Sequence, residues 1–307
     1  MKSKKTLDQF RLFLRLSRPL LVLAAGLLYI LGAGIAHFLG PTIDWGIYWI
    51  GLFWALLIIL SGAYLNEYFD DGKAEQDFKP AVFSNHSGVF IDRQLPRWVA
   101  IAGAGACLTA AASFTLTIEH FQRFSPTTAL VMILIFAGSL VYAVPPLRLS
   151  ATGYGEWINI LILAIGMPAL GFSLQTGEVH RLVAMVSFPL AALQTAMMLA
   201  SELQDYADDY KYERKTLMIK LGWQLGMSLH NWLILAGFGV LGLSLLFGLP
   251  FEIGGPAMLA LPVGALQIWL MRQIADGAKP NWKVLTYTAS ALFGVTAYIL
   301  TFMFWTN

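Results

Sequence analysis

Nine apolar stretches, each about the 20 residues needed to cross a bilayer, leave this 307-residue chain little choice of fold. They lie near residues 18–40, 46–68, 98–118, 127–144, 156–176, 181–201, 224–248, 254–272 and 284–305. In lipid the backbone has to satisfy its own hydrogen bonds, so runs of this length predict helices rather than strands. Charged residues make up only 12% of the chain against 57% hydrophobic, well below the roughly 25% charged share of soluble domains. The expectation is an all-α polytopic membrane protein, a single domain over 1–307. The first apolar stretch is long and no small-residue cleavage site follows it, so no removable signal peptide is expected. The single cysteine, Cys107, lies in an apolar segment, which excludes a disulfide framework and reads as packing. A net charge of +2 gives no reason to expect nucleic acid as a partner.

The basic residues orient the chain. With the N-terminus in the cytoplasm, eighteen of the 20 lysines and arginines fall on the cytoplasmic side, and only Arg123 and Arg181 on the other. That asymmetry is the positive-inside pattern, and it requires the alternation nine spans provide. In the N-terminal arm (1–17), Leu7, Phe10, Phe13 and Leu14 interleave with Lys4, Lys5, Arg11 and Arg15. This spacing predicts an amphipathic helix lying on the anionic inner leaflet. Arg18, beside Pro19 at the entrance to the first span, is placed to reach into a site.

Two acid-rich stretches interrupt the apolar runs: Asn66-Glu67-Tyr68-Phe69-Asp70-Asp71 and Ser201-Glu202-Leu203-Gln204-Asp205-Tyr206. Both read as a small polar residue, Glu, two spacers and Asp. With their tails (Glu75, Asp77; Asp208, Asp209, Glu213) they hold ten of the 18 carboxylates. Both fall on the cytoplasmic side, in expected cap loops over 69–97 and 202–223. Carboxylates gathered at the mouth of a membrane bundle are costly without a cation to neutralise them. Asn66 and Asp70 are four apart, as are Asp205 and Asp209, with Glu202 one turn earlier, so a helix would put each set on one face. Oxygen ligands on opposed helix ends, with positions open for phosphate oxygens, describe a Mg²⁺–diphosphate site. The candidate metal ligands are Asn66, Asp70, Asp71, Glu202, Asp205 and Asp209, with Asn66, Asp70, Asp205 and Asp209 as the catalytic set. Lys215, Lys211 and Arg148 are candidate phosphate contacts. The bland alternative is a solvated collar of ion pairs, but isolated surface pairs contribute little and would not demand the duplicated pattern. Tyr64, Tyr68, Tyr142, Tyr154 and Trp157 lie near span ends, where they could form an interfacial belt or stabilise a cation. The five histidines are scattered and form no ligand cluster; His86 reads as a solvated loop residue. Gly32 with Gly34, and Gly103 with Gly105, read as positions of close helix packing.

These residues resemble the UbiA superfamily of intramembrane prenyltransferases over nearly the whole chain. Asn66 to Asp70 is similar to the start of the family's first Asp-rich motif, and Asp205 to Asp209 to the second, followed by Arg214-Lys215-Thr216-Leu217. Between them Tyr142-Ala143-Val144-Pro145-Pro146-Leu147-Arg148 resembles the family's Tyr-x-x-Pro-Pro-x-Arg stretch. The resemblance implies nine helices around a central cavity, Mg²⁺, a polyprenyl diphosphate donor and cytoplasmic caps over the diphosphate, in the cytoplasmic membrane of a bacterium or archaeon. It also points to Tyr142, beside Arg148 and Arg18, at the diphosphate, and to Tyr142 and Tyr68 as cation-stabilising rings. Within the superfamily the chain looks most like dihydroxynaphthoate prenyltransferases of menaquinone synthesis, implying an aromatic acceptor. Two positions depart from the pattern: Ala74 stands where a third ligand acid is common, and Gly88 where relatives often carry a basic residue. They motivate one alternative, a lipid- or quinone-binding subunit without catalysis. Another acceptor or terpene cyclisation is a second, and a transporter a third.

Overall fold

The computed structural model describes residues 12–70, 89, 95–121 and 123–307. Among these, nine helices are long and apolar enough to cross a membrane. They are α1 (Pro19–Phe38), α2 (Trp45–Phe69), α3 (Trp98–His120), α4 (Pro126–Ala143), α5 (Gly155–Thr176), α6 (Arg181–Lys211), α8 (Trp223–Leu246), α9 (Phe251–Ala275) and α10 (Trp282–Thr306). Between α6 and α8 lies the short helix α7 (Leu217–Leu221). Every expected span is present.

The ends are set by local chemistry. The Asp44 carboxylate accepts the Gly46 and Ile47 N–H groups at the start of α2, and Ser125 caps α4 ahead of Pro126. Proline shapes the interior of two spans. α5 opens into π turns over Leu161–Gly166 just before Pro168, which has no N–H to give the preceding turn. In α9 a 3₁₀ turn at Met258–Ala260 falls between Pro256 and Pro262.

Glycine brings the inner helices together. A Cβ on Gly32 would lie 2.0 Å from the Pro168 carbonyl oxygen, and one on Gly171 2.1 Å from that of Tyr29. α1 and α5 therefore meet backbone to backbone, as small residues allow in membranes. Gly34 faces the Trp305 indole and Gly103 the Tyr64 ring, whereas Gly105 faces open space; the close-packing expectation holds for three of the four. α2, α5 and α6 are the most interior spans, 61–72% buried over their apolar windows against 22% for α3. The two helices that end in acidic stretches are thus among the most interior, and with three spans between them their acidic ends fall on the same side of the bundle.

The boundary of α6 differs from expectation. The helix runs to Lys211 rather than ending at 201, so much of the expected cap loop over 202–223 is helix. Ser201, Glu202, Asp205 and Asp209 are all buried, on a stripe that continues the inward face of the span. Packing on that stripe sustains the helix where hydropathy no longer does. What remains of the cap is a turn over 212–216 and α7. Of the other expected cap loop, 69–97, Asp71, Ala74, Glu75, Asp77, His86 and Gly88 lie outside the described residues, as does the arm before Leu12. The described end of the arm docks inward: Leu16 is fully buried, and the Ser17 and Tyr64 hydroxyls share a 2.7 Å hydrogen bond.

Candidate functional site

At the end of the bundle where α2 and α6 terminate, the acids are met by arginines. Asn66 and Glu67 are buried in the last turns of α2, and Asp70 is its C-cap, the first residue to leave the helix (φ −67°, ψ 131°). Arg18 Nη2 donates to Glu67 Oε1 at 2.6 Å. Arg148 Nη2 lies 3.4 Å from Asp70 Oδ1, and Arg97 Nη2 donates to the Asp70 carbonyl oxygen at 2.8 Å. On α6, Arg214 Nη1 approaches Asp209 Oδ1 at 3.7 Å, and the Arg214 N–H donates to the Asp209 carbonyl.

Backbone strain marks the same places. Arg18 (φ 46°), Arg148 (φ 33°) and Glu213 (φ 55°) are the non-glycine residues with left-handed backbone among the described residues. Each such conformation costs on the order of 1 kcal/mol, and they fall at Arg18, at Arg148 and next to Arg214, three of the four arginines that meet the acids. At Glu213 the left-handed turn reverses the chain leaving α6 and returns Arg214 onto Asp209.

Arg18 is the most enclosed of these cations. Burial works against its charge, yet Glu67 and the Tyr142 hydroxyl outweigh that effect and lift its pKa above the ordinary value. Tyr142, at the end of α4, contacts Arg18 directly. The two line a small cavity of about 40 Å³ with Ser139 and Asn159. A larger apolar groove of about 400 Å³ lies away from the acids, between Trp54, Ala111 and Met132 of α2, α3 and α4.

Asn66, Asp70, Arg18, Arg148 and Tyr142 gather where α1, α2 and α4 meet, and Asp205 and Asp209 lie at the end of α6 on the same side of the bundle. Glu202, an expected ligand, is buried, and its Oε2 accepts the Met218 N–H at 2.9 Å. Lys211 Nζ lies 5.1 Å from the Tyr212 ring centroid. Lys215 is exposed. Tyr68 packs edge-on against Phe69, and Tyr154 sits under Lys220, whose Nζ is 3.3 Å from the ring centroid. Sequence reasoning missed Arg214, Glu67 as the Arg18 partner, Arg97 and Glu156. The one available signal was that Arg214 adjoins Lys215 in the same basic pair.

Among the described residues no group of three His, Cys, Asp or Glu converges to hold a metal unaided. The donor chemistry nevertheless fits a hard divalent cation. Such an ion takes one or two carboxylates and completes its shell with phosphate oxygens and water, and the arginines stand ready to contact the same phosphates.

A model of the UbiA prenyltransferase family matches residues 27–293. The chain belongs to that family. It is similar to the 1,4-dihydroxy-2-naphthoate octaprenyltransferase of Bacillus subtilis (strain 168), 23% identical over 277 residues, covering 89% of this chain and 76% of that protein. It also resembles a probable chloroplastic homogentisate phytyltransferase 2 of Oryza sativa subsp. japonica, 28% identical over 181 residues, covering 54% of this chain and 46% of that protein. A UbiA homologue from Archaeoglobus fulgidus, solved bound to DMAPP and Mg²⁺, shares the fold with a TM-score of 0.65 at 18% identity, covering 94% of this chain and 98% of that one. A digeranylgeranylglyceryl phosphate synthase structure shares it with a TM-score of 0.59 at 14% identity, covering 97% of each chain. As a member of this family the protein is a prenyltransferase, which sets aside the transporter and the non-catalytic subunit.

Proposed function

We propose that the protein transfers a polyprenyl group from an allylic diphosphate to an aromatic acceptor, with Mg²⁺, at a site facing the cytoplasm. The observation that carries this reading is the set of three arginines, Arg18, Arg148 and Arg214, seated on the acids of both duplicated stretches. Without donor, each guanidinium neutralises a carboxylate that would otherwise be costly at the membrane edge. Arg148 and Arg214 are placed to contact a donor's phosphate oxygens, which would leave Asp70 and Asp209 open as ligands. Asn66, Asp70, Asp205 and Asp209 would hold Mg²⁺, which would supply neutralising charge for the departing diphosphate. Arg18, held charged by Glu67 and Tyr142, adds a fixed donor to the leaving group. The Tyr142 and Tyr68 rings offer their faces to the allylic cation. The surrounding apolar helices exclude the water that would quench that cation.

The acceptor we favour is a dihydroxylated aromatic acid, the class that includes dihydroxynaphthoate and homogentisate, with dihydroxynaphthoate first because that relative aligns over most of both chains. This places the enzyme in quinone synthesis, with its basic arm and caps on the cytoplasmic side of a single domain. The test is pyrophosphate release from geranylgeranyl diphosphate by the purified protein in nanodiscs, with and without 1,4-dihydroxy-2-naphthoate or homogentisate. Release that needs both metal and one acceptor supports the reading. Release without any acceptor would move it to a terpene cyclase.

A further inference from the structure

Two buried carboxylates that the proposed chemistry does not use converge on the start of α7. The first N–H groups of a helix have no partner inside it, and here each of three in succession ends on a side-chain oxygen. Leu217 N–H donates to Glu156, from the first turn of α5. Met218 N–H donates to Glu202 Oε2 at 2.9 Å, and Ile219 N–H donates to Thr216 Oγ1 at 3.3 Å. Glu156 and Glu202 are both buried and lie against each other.

The apolar side of α7 is fixed as well. Met218 is fully buried, and a Cβ on Gly226 would lie 2.2 Å from its sulfur, so the thioether packs onto the backbone of α8. Five residues of helix have little stability of their own; α7 is held by what surrounds it. Between its start and the end of α6 lie only residues 212–216, which include the left-handed turn at Glu213 and Arg214 on Asp209. Fixing both ends of so short a segment fixes the direction of Arg214.

We propose that Glu156 and Glu202 are positioning residues: they hold α7 by its first N–H groups and thereby aim Arg214 at Asp209 and the donor's diphosphate. For the role of Arg214 this rests on the function proposed above, whereas the tether itself does not. It removes Glu202 from the metal ligands. It also gives the two stretches one logic, because Glu67, at the same place in the repeated pattern, holds Arg18.

The test uses the full-length protein in nanodiscs, with Glu202→Ala, Glu202→Gln and Asp205→Ala. Two readouts are followed: steady-state kinetics with geranylgeranyl diphosphate, and the rate of tryptic cleavage after Arg214 and Lys215 relative to Lys279. Losing a buried hydrogen bond and leaving the Met218 N–H unpaired predicts for Glu202→Ala a KM for the donor raised about 10-fold and tryptic cleavage about 10-fold faster. Its kcat and Mg²⁺ half-saturation should stay within about 3-fold of the parent. Glu202→Gln, whose amide oxygen can still accept the Met218 N–H, should restore both readouts. If Glu202→Ala instead loses turnover and Mg²⁺ response as Asp205→Ala does, and Gln fails to rescue, Glu202 is a ligand and the proposal falls. It falls equally if neither KM nor cleavage changes. A parent protein inactive with every donor would count against the function, while the cleavage rates would still decide the tether.

Discussion

The two acidic stretches begin with the same pattern and finish in opposite ways. The first stops its helix: Asp70 is already off α2, and the cations that serve it come from elsewhere, Arg18 before α1, Arg97 before α3 and Arg148 after α4. The second continues its helix: Asp205 and Asp209 stay on the buried stripe of α6, and Arg214 arrives from a few residues downstream. One half of the site is thus a junction of distant segments, the other a local hairpin. The difference teaches that a shared Glu-x-x-Asp pattern fixes which oxygens face the site but not how their charge is balanced. It also predicts unequal sensitivity to mutation, because breaking a junction unsettles the fold and breaking a hairpin unsettles only the site.

The largest effect should be the same in both halves. Asp70→Ala and Asp205→Ala are each expected to lower kcat for diphosphate release by about 10³-fold, near 4 kcal/mol, the scale of losing one electrostatic element in a preorganised site. Unequal losses would show that the halves contribute unequally to the metal.

The arginines should then separate the halves. Arg18→Ala takes from the buried Glu67 the guanidinium that pairs with it, and removing one partner of such a pair costs about 3 kcal/mol. It should clearly lower the thermal unfolding midpoint in detergent. Arg214→Ala should leave that midpoint nearly unchanged and appear instead in the donor KM. Equal midpoints for the two variants would break the junction-against-hairpin contrast.

The smallest expected effect is that of Tyr142→Phe, which removes one hydroxyl from Arg18 while keeping the ring. About 1 kcal/mol for a lost hydrogen bond corresponds to a roughly 5-fold weaker donor KM, with folding intact. A much larger fall in kcat would assign the hydroxyl, rather than the ring, a part in the chemistry.

The spans were legible in the sequence because crossing a bilayer imposes a length on apolar runs, and length is visible in one dimension. Asn66, Asp70, Asp205 and Asp209 were legible because their spacing suits a helix and acids at a membrane edge need a reason. The continuation of α6 to Lys211 was not, since hydropathy reports where lipid ends rather than where a helix does. Arg214 was hidden by a single left-handed residue, Glu213, which no propensity marks. Glu202 looked like a ligand because it shares a face with Asp205 and Asp209; its engagement by Met218 N–H depends on where α7 docks. Glu156 stood alone in the chain and gained meaning only beside Glu202.

The division of labour between Asp and Glu is the central claim, and a structure with Mg²⁺ and a non-reactive geranylgeranyl thiodiphosphate tests it most directly. The account predicts Asp70, Asp205 and Asp209 on the metal side and Arg148 and Arg214 moved onto phosphate oxygens. Glu67 should remain on Arg18, and Glu202 on the Met218 N–H. Glu202 drawn onto the metal, or the diphosphate bound away from the two stretches, would contradict it.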